Sequence, residues 1–287
     1  MSWLLFALAT AFSESFKDLF SKLGLKKVNE YLAAWILMAM ALPLLAAALL
    51  ITGIPALGRG YLPAILLEGS LNTLAVTFYM RAIKSSDLST CVPMISFSPL
   101  FLLFISPLLV GEFPSAGGLI GVVLIVAGSY LLHIHRFRQG ITAPFWALFE
   151  EKGPRYMMLV AFLWSITAVL DKIGVQNSSP LFWAFSMSAF LTLFMLPVVI
   201  KTTKKPLSTI KKNYRLLLPI GIFQGLAMIS QMTALDMTLV AYVVSIKRTS
   251  IALSVVWGAV LLGERNIREK LFGVLIMLIG VSLIAFA

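Results

Sequence analysis

The chain has 287 residues, 60% of them hydrophobic and 12% charged, with a formal net charge of +11. Soluble domains carry about a quarter charged residues, so a water-soluble globular fold is excluded. Nucleic-acid binding is excluded with it: the basic residues sit in short connectors, where anionic lipid head groups attract them, and no soluble basic face remains to contact phosphates.

Apolar runs of about 20 residues, each long enough to cross ~30 Å of hydrocarbon, recur along the chain. They predict an all-α integral membrane protein with ten transmembrane helices, near 2–21, 31–53, 62–81, 88–110, 115–135, 156–176, 180–200, 214–236, 238–262 and 269–286. The N-terminal MSWLLFALATAFSES lacks a positive n-region and runs through Glu14 into FKDLFSKLG, so it reads as a span and not a cleaved leader. That span places Glu14, Lys17 and Asp18 at i, i+3 and i+4, a spacing at which Lys17 neutralises its neighbours in part. In the third span Glu68, Asn72, Ala75 and Tyr79 share one face. The fourth holds Cys91, whose lone presence excludes an intramolecular disulfide, and Pro93, Pro99 and Pro107. Their counterparts in the ninth are Ser245, Ile251 and Ala259, so one half is expected to be more bent than the other. His133 and His135, beside Arg136, suit a basic interfacial cluster better than a metal site. The connector 136–155 contains APFWALFEEKGPR, which suits a short amphipathic segment along the interface.

The sixth span carries Asp171-Lys172 toward its end, an adjacent acid and base that fit a gate or a snorkelling pair. The eighth aligns Gln224, Met228 and Gln231 at i, i+4 and i+7. The ninth contains SIKRTSI, with Lys247 and Arg248 deep in an apolar helix. A charge at that depth costs about 3 kcal/mol on the gentlest scale, so such residues face a cavity or a partner. Counted along the axis, Glu14 lies ~18 Å and Lys247 ~14 Å into their helices, so Glu14 is expected to pair with Lys247 or Arg248. Two cations facing one carboxylate leave a positive charge for a substrate anion. Polar residues of this kind also serve as glue between helices, and that reading stays open for each of them.

The connectors fix an orientation. With the N-terminus outside, five cytoplasmic connectors hold Lys22, Lys26, Lys27, Arg81, Lys84, Arg136, Arg138, Lys152, Arg155, Lys201, Lys204, Lys205, Lys211, Lys212, Arg215, Arg265, Arg268 and Lys270, against Arg59 outside. The bias predicts both termini exoplasmic, in the plasma (inner) membrane.

A shift of 152 residues aligns the halves without a gap: over 79–131 against 231–283, 12 of 53 positions are identical. The matches include Ser98 with Ser250, LVGE (109–112) with LLGE (261–264), Gly121 with Gly273 and Gly128 with Gly280. The shift also maps Asn72 onto Gln224 and Tyr79 onto Gln231. Five spans per half is an odd number, so the halves, 1–135 and 156–287, are expected to be inverted repeats joined by the connector 136–155. Inverted repeats are the architecture of alternating-access transporters, with the substrate between the halves.

Two repeats whose fourth helices end in Gly-Glu, VGEFPSAGGLIGVVLIVAGSYLL and LGERNIREKLFGVLIMLIGVSLI, resemble the EamA-type members of the drug/metabolite transporter superfamily. One departure is Phe113-Pro114 where the second repeat has Arg265-Asn266. The resemblance implies transport of a small molecule, in a superfamily whose substrates include amino acids, nucleotide sugars, sugar phosphates and drugs. SIKRTSI is similar to the Lys-Arg dyad with which plastid phosphate translocators, a branch of that superfamily, hold phosphate. The first-half equivalents Ile95 and Ser96 supply no third cation, which leaves Lys17 or Arg81 for that part.

The expectation is a secondary transporter of a small anionic or zwitterionic metabolite, and not an enzyme. Lys247, Arg248, Glu14, Asn72, Tyr79, Gln224 and Gln231 are its candidate substrate-binding residues, and Glu68, Asp171, Lys172, Lys17 and Asp18 its candidates for gating or coupling. No cofactor or metal is expected. The partners are the substrate and the lipid bilayer, with a second copy of the chain as a candidate. Export of cationic or drug-like compounds through Glu14 or Glu68 is the rival within transport, and a non-transporting membrane scaffold the rival outside it.

Overall fold

In the computed structural model, which describes residues 2–24, 27–85, 94–134, 151–253 and 267–287, all regular structure is helical. The helices are α1 (Ser2–Gly24), α2 (Glu30–Ala39), α3 (Leu42–Thr52), α4 (Tyr61–Ser85), α5 (Ser98–Val110), α6 (Ala116–Ile134), α7 (Lys152–Gln176), α8 (Pro180–Thr202), α9 (Pro206–Met237), α10 (Val240–Lys247) and α11 (Ile267–Ala285). Among the described residues five stretches are long and apolar enough to cross a bilayer: Tyr31–Thr52, Tyr61–Tyr79, Lys152–Gln176, Pro180–Thr202 and Pro206–Met237. Ser98–Val110, Ala116–Leu131 and Phe272–Ala285 are shorter apolar helices. Cys91, Pro93, His135, the connector at 136–150 and the second Gly-Glu (Gly263-Glu264) lie outside the described residues.

Several boundaries differ from those read off the hydropathy. The expected second span is two helices, because Pro43 in the first turn of α3 has no amide to offer the preceding turn. The eighth begins earlier, at Pro206, but bends at Asn213 (φ −117°, ψ 16°), whose side-chain amide donates to the Thr209 carbonyl at 2.9 Å. The chain turns at 96–97 and again at 248–249, positions exactly 152 residues apart, so both expected long helices break. At the first break Pro99 supplies no amide. At the second, the Thr249 amide and hydroxyl both donate to the Ile246 carbonyl, at 2.9 and 2.7 Å. A break therefore falls at the equivalent position of both halves, with Pro99 just after it in the first and Thr249 within it in the second.

The packing exchanges helices between the halves. The most extensive contacts are α6 with α11, α1 with α9 and α4 with α7, and the 152-residue shift carries α1 onto α7 and α4 onto α9. Phe223 stacks between Phe16 and Phe20 of α1, at ring distances of 5.0 and 5.9 Å. One continuous core holds Trp183, Met187, Leu235 and Ile246, while Leu50, Phe104, Leu108 and Phe272 stand exposed on the outside, as lipid contact requires.

The repeat-related glycines meet crosswise. A Cβ at Gly121 would lie 2.7 Å from the Gly280 carbonyl oxygen, and one at Gly128 would lie 2.6 Å from that of Gly273. Small residues are what let two membrane helices approach this closely. Gly128→Leu is expected to lower stability in detergent by about 1–3 kcal/mol through overpacking. Gly117→Ala, whose new methyl would meet only Ala287 at 4.0 Å, should melt like the wild type. Equal melting of both variants would show that α6 and α11 do not pack this way.

Candidate functional site

The breaks at 96–97 and 248–249 face a cluster in which charged side chains of α1 and the end of α10 meet polar ones of α4, α5 and α9. Lys247, the last residue of α10, brings its ammonium within 3.0 Å of Glu14 Oε1 and donates to Gln231 Oε1 at 2.7 Å. Glu14 also takes the Lys17 ammonium, and Lys17 lies 3.4 Å from Asp18 Oδ1. Arg248 sits in the turn itself and donates from one terminal nitrogen to Ser98 Oγ at 2.6 Å. Its Nε is buried and has no hydrogen-bond partner among the described residues. The Tyr79 phenol lies within electrostatic reach of Glu14, Lys17, Asp18 and Arg248. The two carboxylates and three cations leave one positive charge, and among the described residues Arg248 is the cation without a carboxylate.

Both stripes read from the sequence reach this cluster in part. Gln231 holds Lys247, while Gln224, two turns back on α9, places its amide 4.0 Å from the sulfur of Met38. On α4, Asn72 accepts from the Trp164 indole at 3.1 Å, and the Tyr79 ring lies 5.5 Å from that of Trp164. Glu68 Oε1 accepts from the Asn72 amide at 3.1 Å. Arg81, one candidate for a third cation, is not there. It lies over the Phe78 ring at 5.8 Å, in a separate pocket of about 280 Å³ lined by Ser85, Lys152 and Tyr156. Among the described residues no group of three or more His, Cys, Asp or Glu is arranged to hold a metal.

Asp171 and Lys172 do not pair with each other, and Lys172 does not snorkel; both are buried. Asp171 accepts from the Trp183 indole at 2.8 Å. Lys172 pairs with Glu112 and donates to the Thr238 carbonyl at 2.7 Å. The other Glu112 oxygen accepts from Ser106 Oγ and from the Val240 amide, both at 2.9 Å. Gly111 makes this possible: at φ +68° it closes α5 in the left-handed region, where a side chain is strained, and turns Glu112 back over the helix end. Close by, Tyr242 Oη accepts from the Ser115 amide at 3.1 Å and its ring stacks on Trp3. The network lies toward the end of the bundle that carries both chain termini, the terminal face.

Glu112, Ser98 and Trp164 had not been singled out as site residues. The first two were visible in the sequence, in the Gly-Glu motif and as a repeat identity, but their partners lie 60 and 150 positions away.

A profile of the EamA-like transporter family matches residues 1–134 and again 152–286. The chain belongs to the EamA-like transporter family. It is an integral membrane protein of a family of transporters. It is 25% identical over 209 residues to a protein described as an uncharacterized transporter from Archaeoglobus fulgidus, covering 72% of this chain and 69% of that protein. A solved crystal structure superposes with a TM-score of 0.78 at 15% identity, covering 99% of this chain and 96% of the other, which speaks to the fold alone. As an EamA-like protein the chain has its charge cluster where the two matched stretches meet, with α1, α4 and α5 from the first and α9 and α10 from the second.

Proposed function

We propose that this EamA-like protein is a secondary transporter that carries a small anionic or zwitterionic metabolite, unchanged, across the membrane by alternating access. The observation that carries this reading is Arg248: a guanidinium at a helix break, bonded to Ser98 and with a buried Nε left unpartnered. A planar guanidinium is suited to grip a carboxylate or phosphate through two parallel bonds. Lys247 is held by Glu14 and Gln231 and sets the position of Arg248, while Tyr79 closes the site from α4. The rival reading, cation export through Glu14 or Glu68, finds Glu14 already taken by Lys17 and Lys247, while Glu68, which no lysine holds among the described residues, is buried and bonded to the Asn72 amide.

Alternating access is supported by the double family match, the helix exchange under the 152-residue shift and the paired breaks. Together they favour two inverted five-helix repeats, with broken helices at the binding level as transporter sites commonly have. Glu112 with Lys172 then forms the closed gate between the charges and the terminal face. The excess of basic residues in the other connectors favours exoplasmic termini and a plasma-membrane location.

Counterflow in proteoliposomes, run with a radiolabelled panel of phosphorylated, carboxylated, zwitterionic and cationic metabolites, tests the reading. Accumulation is expected for one or more solutes bearing an anionic group. Accumulation confined to cations would sink the proposal.

A further inference from the structure

Among the described residues, four buried or nearly buried carboxylates lie within the membrane-spanning bundle, and they fall into two kinds. Glu14 and Glu112 each hold a lysine. Glu68 and Asp171 have none within ion-pair distance among the described residues; their partners are the neutral Asn72 amide and Trp183 indole. Glu68 is 2% exposed, and its Oε2 is buried without a partner among the described residues.

The two side chains lie within roughly one helical turn of each other along one seam. α4 and α7 pack closely, and Asn72 meets Trp164. From that contact Glu68 is about one turn back on α4 and Asp171 about two turns on along α7. One further step along the same seam, the Tyr61 ring meets Trp183 edge-on at 5.7 Å, and the Trp183 indole is the donor to Asp171.

The other charged and titratable groups on the packing helices leave this pair unneutralised. Lys172 is turned to Glu112, and Lys247 of α10 acts on Asp171 only from a distance, its ammonium being engaged by Glu14 and Gln231. Tyr242 of α10 is bonded to Ser115, and Asp236 of α9 is exposed. The basic residues and Tyr214 of α9 lie near its opposite end. α8 carries no ionisable side chain from Pro180 to Ile200, and α2 brings only Glu30 and Tyr31, in its first turn.

We infer that Glu68 and Asp171 form a proton-binding site, distinct from the anion site, at which a proton adds to a carboxylate oxygen when the site is sealed and leaves when it opens. Two carboxylates in contact with neutral donors alone cannot both stay ionised in a dry interior. Glu68 Oε2, the oxygen without a donor, is where the proton rests. Transport through the Arg248 site is then coupled to proton movement along the α4–α7 seam.

The test uses the proton as its only probe, so it can succeed or fail independently of the anion reading. Infrared spectra of the full-length protein in lipid, titrated from acid to alkaline pH, should show the carbonyl band of a protonated, buried carboxylic acid at neutral pH. That band should be lost in Glu68→Gln and in Asp171→Asn, while Glu14→Gln leaves it in place. Trp183 fluorescence, identified by its loss in Trp183→Phe, should titrate together with the band. A wild-type protein without the band at neutral pH overturns the proposal whatever the variants do, and so does a band that survives in both folded variants.

Discussion

Arg248→Gln is expected to weaken binding of the transported anion by roughly 30- to 4000-fold, the equivalent of losing about 2–5 kcal/mol from a desolvated charge pair. The side chain is the one cation of the central cluster with no carboxylate, so its attraction for a substrate is not already satisfied within the protein. Lys247→Gln should cost less, because the lysine it removes is bonded to Glu14 and Gln231, and Glu14 keeps Lys17. Arg248→Lys should restore only part of the loss, since an ammonium supplies charge without the planar fork. The measurement is concentration-dependent counterflow of whichever anion the metabolite panel returns, with melting in detergent as the folding control. A folded Arg248→Gln protein with wild-type affinity would remove the residue from the binding site.

The helices could be read from the sequence because hydropathy is an additive property of a run of residues, and bilayer thickness sets its length. The breaks could be read only in part: the prolines of the fourth span mark a bend there, and no proline marks the second break. Thr249 interrupts α10 through a hydroxyl bond to Ile246, a local competition that threonines in many unbroken helices also offer. The depth of Glu14 and of Lys247 can be counted along two separate helices, and matching depth is enough to pair those two from the sequence. It says nothing about azimuth. Asp171 and Lys172 are adjacent in sequence but about 100° apart around α7, so one meets Trp183 on α8 and the other meets Glu112 beyond α5. Reading them as a pair overlooked that rotation. Asn72 shows the same limit: its helical face was legible, but the indole that holds it, Trp164, lies 92 residues away in the other half.

The two kinds of buried carboxylate suggest how the parts work together. The central cluster joins α1 to α10 through Glu14 and Lys247, and α10 to α5 through Arg248 and Ser98. An anion gripped by Arg248, as proposed, would therefore pull on the same break that sets the direction of α10, and α10 begins at the residue whose amide caps Glu112. Site and clasp are linked by eight residues of helix.

That link makes the clasp the second place where a single substitution should matter. Glu112→Gln leaves the Lys172 ammonium buried among neutral acceptors, the new amide oxygen and the Thr238 carbonyl, and breaking a buried pair from one side costs about 3–5 kcal/mol. Lys172→Met should cost about as much from the other side, leaving Glu112 with Ser106 and the Val240 amide. The double variant should lose less than the sum of the two, because it leaves no orphaned charge. Melting alone would not separate a gate from a structural staple. A thiol placed by Ser98→Cys, in a Cys91→Ala background, reports on access: if the clasp is a gate, a membrane-impermeant maleimide added at the terminal face should label it faster in Glu112→Gln and in the double variant than in the parent. Unchanged labelling together with lowered melting would make Glu112 and Lys172 a brace for the fold, and the gate would have to be sought elsewhere.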